Sequence, residues 1–400
     1  MASKGRIGKD SRLQSERYQS IAFPEVTKGG KRALKLIADS LKDRNLSNFG
    51  LLTQQAEKEL IRTMECKYCF TFPNGTTALT AALIAVIGEK KGYVVCPSFT
   101  FIASAISIEQ AGYLPAFADI DRKTLTIDPL SVERTLKTTK NVKAVMGAHM
   151  FGNPCDIKHL TELCNSYEVP LVFDSAHAFG ASYENRKIGN FGSCEAFSTS
   201  STKVLTSAEG GFVTTNIEDI ANSLQIIRNY GIDRKSGKIV TRGLNGKMSE
   251  LQAALLLDSI PQVSHIIRER TRIALQYQKT LSAVAGLSFQ ELQPRSKRTY
   301  KDFPIIIDSA IYGHSRNALM NILERERIET RAYFDQLIHE VERFSDCPRD
   351  KTGITNSDDI SRNILCLPIY SALSKFDVDR IIKIIVQNKH KKEVLNIENQ

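Results

Sequence analysis

No stretch of this 400-residue chain approaches the ~20 consecutive apolar residues that a membrane span needs, and the N-terminus MASKGRIGKDSR has no hydrophobic core of the secretory type. A soluble, cytoplasmic protein is the expectation. The eight cysteines are too dispersed for a disulfide framework, and the one CxxC, Cys66 to Cys69, has no second pair at metal-site spacing. Buried free thiols are expected instead. The chain also lacks zinc-finger, RNP and homeodomain-like patterns, internal repeats and low-complexity linkers.

What is present is an ordinary globular composition, 42% hydrophobic and 24% charged. At ~150 residues per domain the length allows about two to three domains, or one large α/β domain with a smaller satellite. The net charge of +10 collects at the ends, in Lys4 to Arg17 and Lys383 to Lys392, while the middle is mixed in sign. Such a chain attracts small anions such as nucleotides, and nucleic acid is not an expected partner.

From about Lys67 to Ala254, apolar runs of β type alternate with amphipathic helical stretches, the pattern of a parallel sheet with helices on both faces. The runs Tyr93 to Cys96, Leu114 to Ala118, Ala144 to Met150, Leu171 to Phe173 and Gly211 to Thr214 predict strands. Helices are predicted at Thr76 to Ile87 and Asp156 to Tyr167. After Ala254 a long helix, Ser264 to Leu281, and a strand near Phe303 to Ile307 announce a smaller domain. The expected division is an N-terminal helical segment, 1–65, packed on the body, a large domain, 66–255, and a small C-terminal domain, 256–400.

Three segments carry chemistry. FPNGTTAL (72–79) enters a helix through Gly75, which would leave the amides of Thr76 and Thr77 at its positive end, a place for a phosphate or else plain capping. LVFDSAHAFG (171–180) puts Asp174 at the end of an apolar strand with His177 three residues on. A helix cap and a satisfied core histidine are the bland alternative. In AFSTSSTKVLTSAEGGFVTT (196–215), Lys203 stands among small hydroxyl residues, with flanks that suit a tight pocket rather than a solvated helix face. A phosphate cradle, an acid at a strand end and a pocketed lysine together describe a site for pyridoxal 5'-phosphate.

On NGTTAL, CPSFTFIASA (96–105), AFADID (116–121), HMFGNPCDI (149–157), FDSAHAFGA (173–181), IGNFG (188–192), the Lys203 segment with its EGG, RNYG (228–231), GLNGKMSELQAA (243–254) and LCLPIY (365–370), the chain resembles the DegT/DnrJ/EryC1/StrS family of nucleotide-sugar aminotransferases. The resemblance runs from about Phe23 to Ile385. It implies the fold-type-I architecture of aspartate aminotransferase, a large mostly parallel-sheet α/β domain with a smaller C-terminal α/β domain.

It further implies that Lys203 is the Schiff-base lysine, that Asp174 pairs with the pyridine nitrogen, and that Phe101 stacks on the ring. His177 stands where most members have Gln contacting the ring hydroxyl. Gly75, Thr76, Thr77 and Ser198 would hold the phosphate, and Asn245 would reach the phosphate of the neighbouring subunit in a homodimer with shared sites. Read without the resemblance, Gly243 to Gly246 is a turn and Asn245 a cap for the following helix. The implied reaction moves an amino group from L-glutamate to a nucleotide-linked keto-6-deoxysugar. Asp-x-x-His and NGKMSE look most like the branch acting on dTDP-4-keto-6-deoxyhexoses, the alternatives being a 3-keto substrate or, in a different class, a non-catalytic relative that binds nucleotide sugar or cofactor in a regulatory role. A lysine at 203 argues against the subgroup that carries histidine there and dehydrates its sugar. Two positions depart from the commoner pattern: no proline precedes Lys203, and Lys247 stands where Arg is commoner.

Overall fold

The computed structural model describes residues 20–22, 30–42, 46, 48–89 and 91–389. The basic segment Lys4 to Arg17 and the end of the C-terminal one lie outside these residues.

Among the described residues the strands run in chain order as β1 (Tyr68–Phe72), β2 (Tyr93–Pro97), β3 (Leu114–Ala118), β4 (Val142–Ala148), β5 (Leu171–Asp174), β6 (Ser182–Tyr183), β7 (Arg186–Lys187), β8 (Cys194–Ser198), β9 (Gly211–Thr215), β10 (Leu287–Phe289), β11 (Ser296–Lys297), β12 (Phe303–Ile307) and β13 (Ile364–Leu367). Seven form one sheet in the order β1-β9-β8-β5-β4-β2-β3. The run β8-β5-β4-β2-β3 is parallel, whereas β9 is antiparallel to both of its neighbours. The inner strands are apolar and buried because helices cover both faces. One covering helix, Gly75–Ile87, has apolar residues all round and is accordingly buried on almost every side.

Several boundaries move by a residue or two, and two of these shifts bear on the site. Helix Gly75–Ile87 starts one residue early because Asn74 caps it, its side chain accepting from the Thr77 amide. The chain also leaves the sheet after Ala148 and turns through Met150–Gly152, with Phe151 in the left-handed region at φ 57°.

A second, antiparallel sheet, β10-β12-β13, is packed against helices Val263–Leu281 and Lys375–Gln387 around Tyr277, Ile305, Leu365 and Ile381. Between β12 and β13 the chain returns to the large sheet, where Ile338, Phe344 and Ile354 join the core of Phe72 and Phe117. Near the N-terminus, helix Leu51–Met64 buries Leu52, Ala56, Leu60 and Met64 in the main core. Its N-cap, Gly50, has no side chain to offer, so the buried Glu250 carboxylate accepts from the Leu52 and Thr53 amides at 2.8 and 3.0 Å. All eight cysteines are free, seven of them buried, and burial pushes the Cys66 thiol up to about 11.

Candidate active site

Loops leaving the carboxyl ends of β1, β2, β4, β5 and β8 meet at one edge of the sheet, where parallel α/β architectures bind ligands. They enclose a cavity of about 340 Å³. Gly75, Thr76, Phe101, Asp174, His177, Ser198 and Lys203 all line it.

One wall is the start of helix Gly75–Ile87. Asn74 spends its carbonyl on the Ala78 amide and its side chain on the Thr77 amide, at 3.1 and 2.8 Å. Among the described residues the Gly75 and Thr76 amides therefore remain without acceptors at the positive end of the helix dipole. A Cβ on Gly75 would stand 2.7 Å from the Ser198 Cβ, so glycine is required for this close approach. Thr77 differs from expectation: its amide is occupied, and it is not among the residues that line the cavity.

Asp174 ends β5 opposite Ala148 in β4. Its Oδ2 accepts from Ser104 Oγ at 2.8 Å and its Oδ1 from the Ala176 amide at 3.1 Å. Each carboxylate oxygen keeps acceptor capacity for a donor inside the cavity.

Lys203 sits in the loop between β8 and β9. The loop ends are tied by bonds from the Thr199 amide to the Gly210 carbonyl and from the Ser207 amide to the Thr199 carbonyl, at 2.9 and 2.8 Å. Hydroxyls fasten the interior in the absence of a proline, with Thr199 Oγ1 and Ser207 Oγ 2.6 Å apart. Burial, and after it the neighbouring Lys301 ammonium, lower the Lys203 amine to about 7, against the pull of Asp302, Asp174 and Glu209. An amine that is half neutral at pH 7 is a usable nucleophile and base.

His177 accepts from the Phe151 amide at Nδ1, 3.3 Å away, and lies nearly parallel to the Phe151 ring. Burial, then Lys203 and Lys301, hold its pKa well below the usual histidine value. The neutral ring with Nδ1 occupied carries its proton on Nε2, as a donor. Phe101 is 54% exposed although aromatic, and it packs on Phe334 at a ring separation of 6.3 Å.

Asn245 is exposed and does not line this chain's cavity. Its segment bridges to Asn229, and the following helix is capped by Ser249, so the capping role for Asn245 is overturned. Lys247 places its ammonium over the Tyr230 ring at 3.9 Å. The structure also gathers residues that sequence reasoning missed. Asn74, Thr100, His149 and Glu209 line the cavity, and Ser104 lies behind Asp174. Of these, Asn74 had a legible signal, an Asn immediately before a helix start.

The residues present fit pyridoxal phosphate: two unpartnered amides beside a glycine that admits close approach, a carboxylate with acceptor capacity left, and an amine near neutrality in one cavity. The model of the DegT/DnrJ/EryC1/StrS aminotransferase family matches residues 28–386. The chain is 30% identical over 348 residues to the dTDP-4-amino-4,6-dideoxy-D-glucose transaminase of Shigella dysenteriae, covering 87% of this chain and 93% of that one. It is 32% identical over 357 residues to the GDP-perosamine synthase of Vibrio cholerae, covering 88% and 94%. Among solved structures, DesI in the presence of its TDP-sugar product is similar with a TM-score of 0.87 at 28% identity, covering 94% and 95% of the two chains. The fold is that of the fold-type-I enzymes. The chain thus belongs to the DegT/DnrJ/EryC1/StrS aminotransferase family and is a pyridoxal phosphate-dependent sugar aminotransferase.

Proposed function

We propose that this enzyme transfers the amino group of L-glutamate to dTDP-4-keto-6-deoxyglucose, giving the 4-amino-4,6-dideoxy sugar, and that it works as a cytoplasmic homodimer. The observation that carries the residue assignment is that a single cavity collects Lys203, Asp174 and the Gly75 and Thr76 amides. The choice of nucleotide and of C4 is supported by the names of the Shigella transaminase and of the TDP-sugar structure.

When bound, the cofactor supplies an electron sink for the carbanion made at the donor Cα. In our reading Lys203 holds the cofactor covalently at rest and, once displaced, moves the proton at Cα, work that suits an amine titrating near 7. Asp174 holds a proton on the pyridine nitrogen, and His177 donates from Nε2 to the ring hydroxyl. Phe101 covers one ring face, Gly75, Thr76 and Ser198 grip the phosphate, and Asn245 reaches the phosphate in the partner's site.

The test is a panel of dTDP-, UDP- and GDP-linked 3-keto and 4-keto sugars with glutamate as donor, with products identified by mass and NMR. The highest kcat/KM for the dTDP-4-keto sugar is expected. A preference for a 3-keto sugar, or for another nucleotide, replaces that substrate while leaving the transaminase chemistry in place.

A further inference from the structure

We propose that Ser104 is a positioning residue of this site, fixing Asp174 and Phe101 against one another. The proposal rests on the reading of Asp174 as partner of the pyridine nitrogen, and it deepens that reading.

Ser104 is fully buried in the first turn of helix Ala103–Gln110 and is remote from Asp174 in sequence. Its one hydroxyl proton goes to Asp174 Oδ2 at 2.8 Å. With that proton committed, the contact of 3.2 Å to Thr100 Oγ1 has Thr100 as donor, so Thr100, Ser104 and Asp174 form a directed chain. Thr100 lines the cavity, which makes the chain continuous with its wall. The Ser104 amide donates to the Phe101 carbonyl at 3.0 Å, and the Ser107 hydroxyl donates to the Ser104 carbonyl at 2.7 Å. Ser104 thus ties the residue proposed at the ring face to the residue proposed at the ring edge.

Among the described residues the carboxylate would otherwise be held only by the Ala176 amide on Oδ1, and free to rotate about its terminal torsion, which is broad for aspartate. A bond from a hydroxyl to a carboxylate is among the stronger neutral-to-charged contacts and selects one orientation. Supporting groups of this kind set how well a primary contact is aimed.

The experiment compares Ser104→Ala, Ser104→Thr, Asp174→Asn and the double variant Ser104→Ala/Asp174→Asn. The readouts are kcat and KM, the cofactor dissociation constant, and the pH titration of the visible absorbance of the loaded enzyme. We expect Ser104→Ala to lower kcat roughly tenfold to a hundredfold with KM for the nucleotide sugar nearly unchanged, to weaken cofactor binding and to shift the absorbance titration. Ser104→Thr keeps the hydroxyl and should recover most of each. In the Asp174→Asn background the loss of Ser104 should cost little more.

Ser104→Ala indistinguishable from the native enzyme, while Asp174→Asn is crippled, overturns the proposal alone. Equal defects in Ser104→Ala and Ser104→Thr reduce Ser104 to packing and also overturn it. A fully active Asp174→Asn enzyme overturns the reading on which the proposal stands.

Discussion

The Lys301 ammonium lies 2.8 Å from an Asp302 carboxylate oxygen, both side chains almost wholly buried; Lys301 bears on Lys203 and His177, and Asp302 on Lys203. The connection between β11 and β12 that carries the pair is laced to the site: the Lys301 amide donates to the Phe151 carbonyl, and the Thr299 hydroxyl donates to the His177 carbonyl. A buried cation beside an amine opposes its protonation. Lys301→Met removes that opposition and leaves the Asp302 charge unbalanced, and both changes push the Lys203 amine above about 7. The pH dependence of cofactor uptake by cofactor-free protein reads this as a midpoint moved upward, and an unmoved midpoint contradicts it. The same variant should lose stability by about 3 to 5 kcal/mol, the cost of stranding a buried charge. Lys301→Met/Asp302→Leu should recover most of it.

Stability carries the signature of Lys203 in a different way. Its folded-state value, about 7, lies below the ordinary 10.5, so between these pH values the unfolded chain binds more protons and the native state gains stability as pH rises. Cofactor-free Lys203→Met lacks this dependence. Denaturant melts should show it more stable than the native protein at pH 7, with the gap closing toward pH 10.5. A gap independent of pH contradicts the depressed amine.

Asp174→Asn keeps the shape of the side chain and removes its charge. Turnover is expected to fall at least a hundredfold, a few kcal/mol of lost transition-state stabilisation, while phosphate anchoring stays largely intact. Near-native kcat removes Asp174 from the chemistry.

Asn245 is exposed and does not line its own cavity, and subunit mixing tests whether it serves the neighbour. In a heterodimer of Lys203→Ala and Asn245→Ala chains, the intact lysine meets an intact Asn245 from its partner. The mixture should regain up to one good site per heterodimer. Each Asn245→Ala homodimer should show the loss of a charge-assisted bond worth roughly 1.5 to 3 kcal/mol. Heterodimers no more active than their parents place Asn245 outside the neighbouring site.

Much of this was legible because the signals are local. The apolar runs at Leu114–Ala118 and Phe303–Ile307 became strands with unchanged bounds, and Asp174 stood where an apolar run stops. Strand β8 was harder to read: CEAFS carries a glutamate, buried because the Gly189 and Phe191 amides of the preceding turn and Ser175 Oγ beyond β5 satisfy it. The Lys301–Asp302 pair reads as surface charge and is buried by tertiary packing. Ser104 was illegible for the same reason, since a serine near a helix start signals nothing until the fold brings Asp174 to it. The expectation of a free Thr77 amide was wrong because the Asn74 side chain, one turn back, accepts from it.

Borohydride reduction of the loaded enzyme followed by peptide mapping tests whether Lys203 carries the cofactor. A single pyridoxyl adduct is expected, on Lys203, and none in Lys203→Ala. An adduct on Lys301, or on any other lysine of the native enzyme, contradicts it.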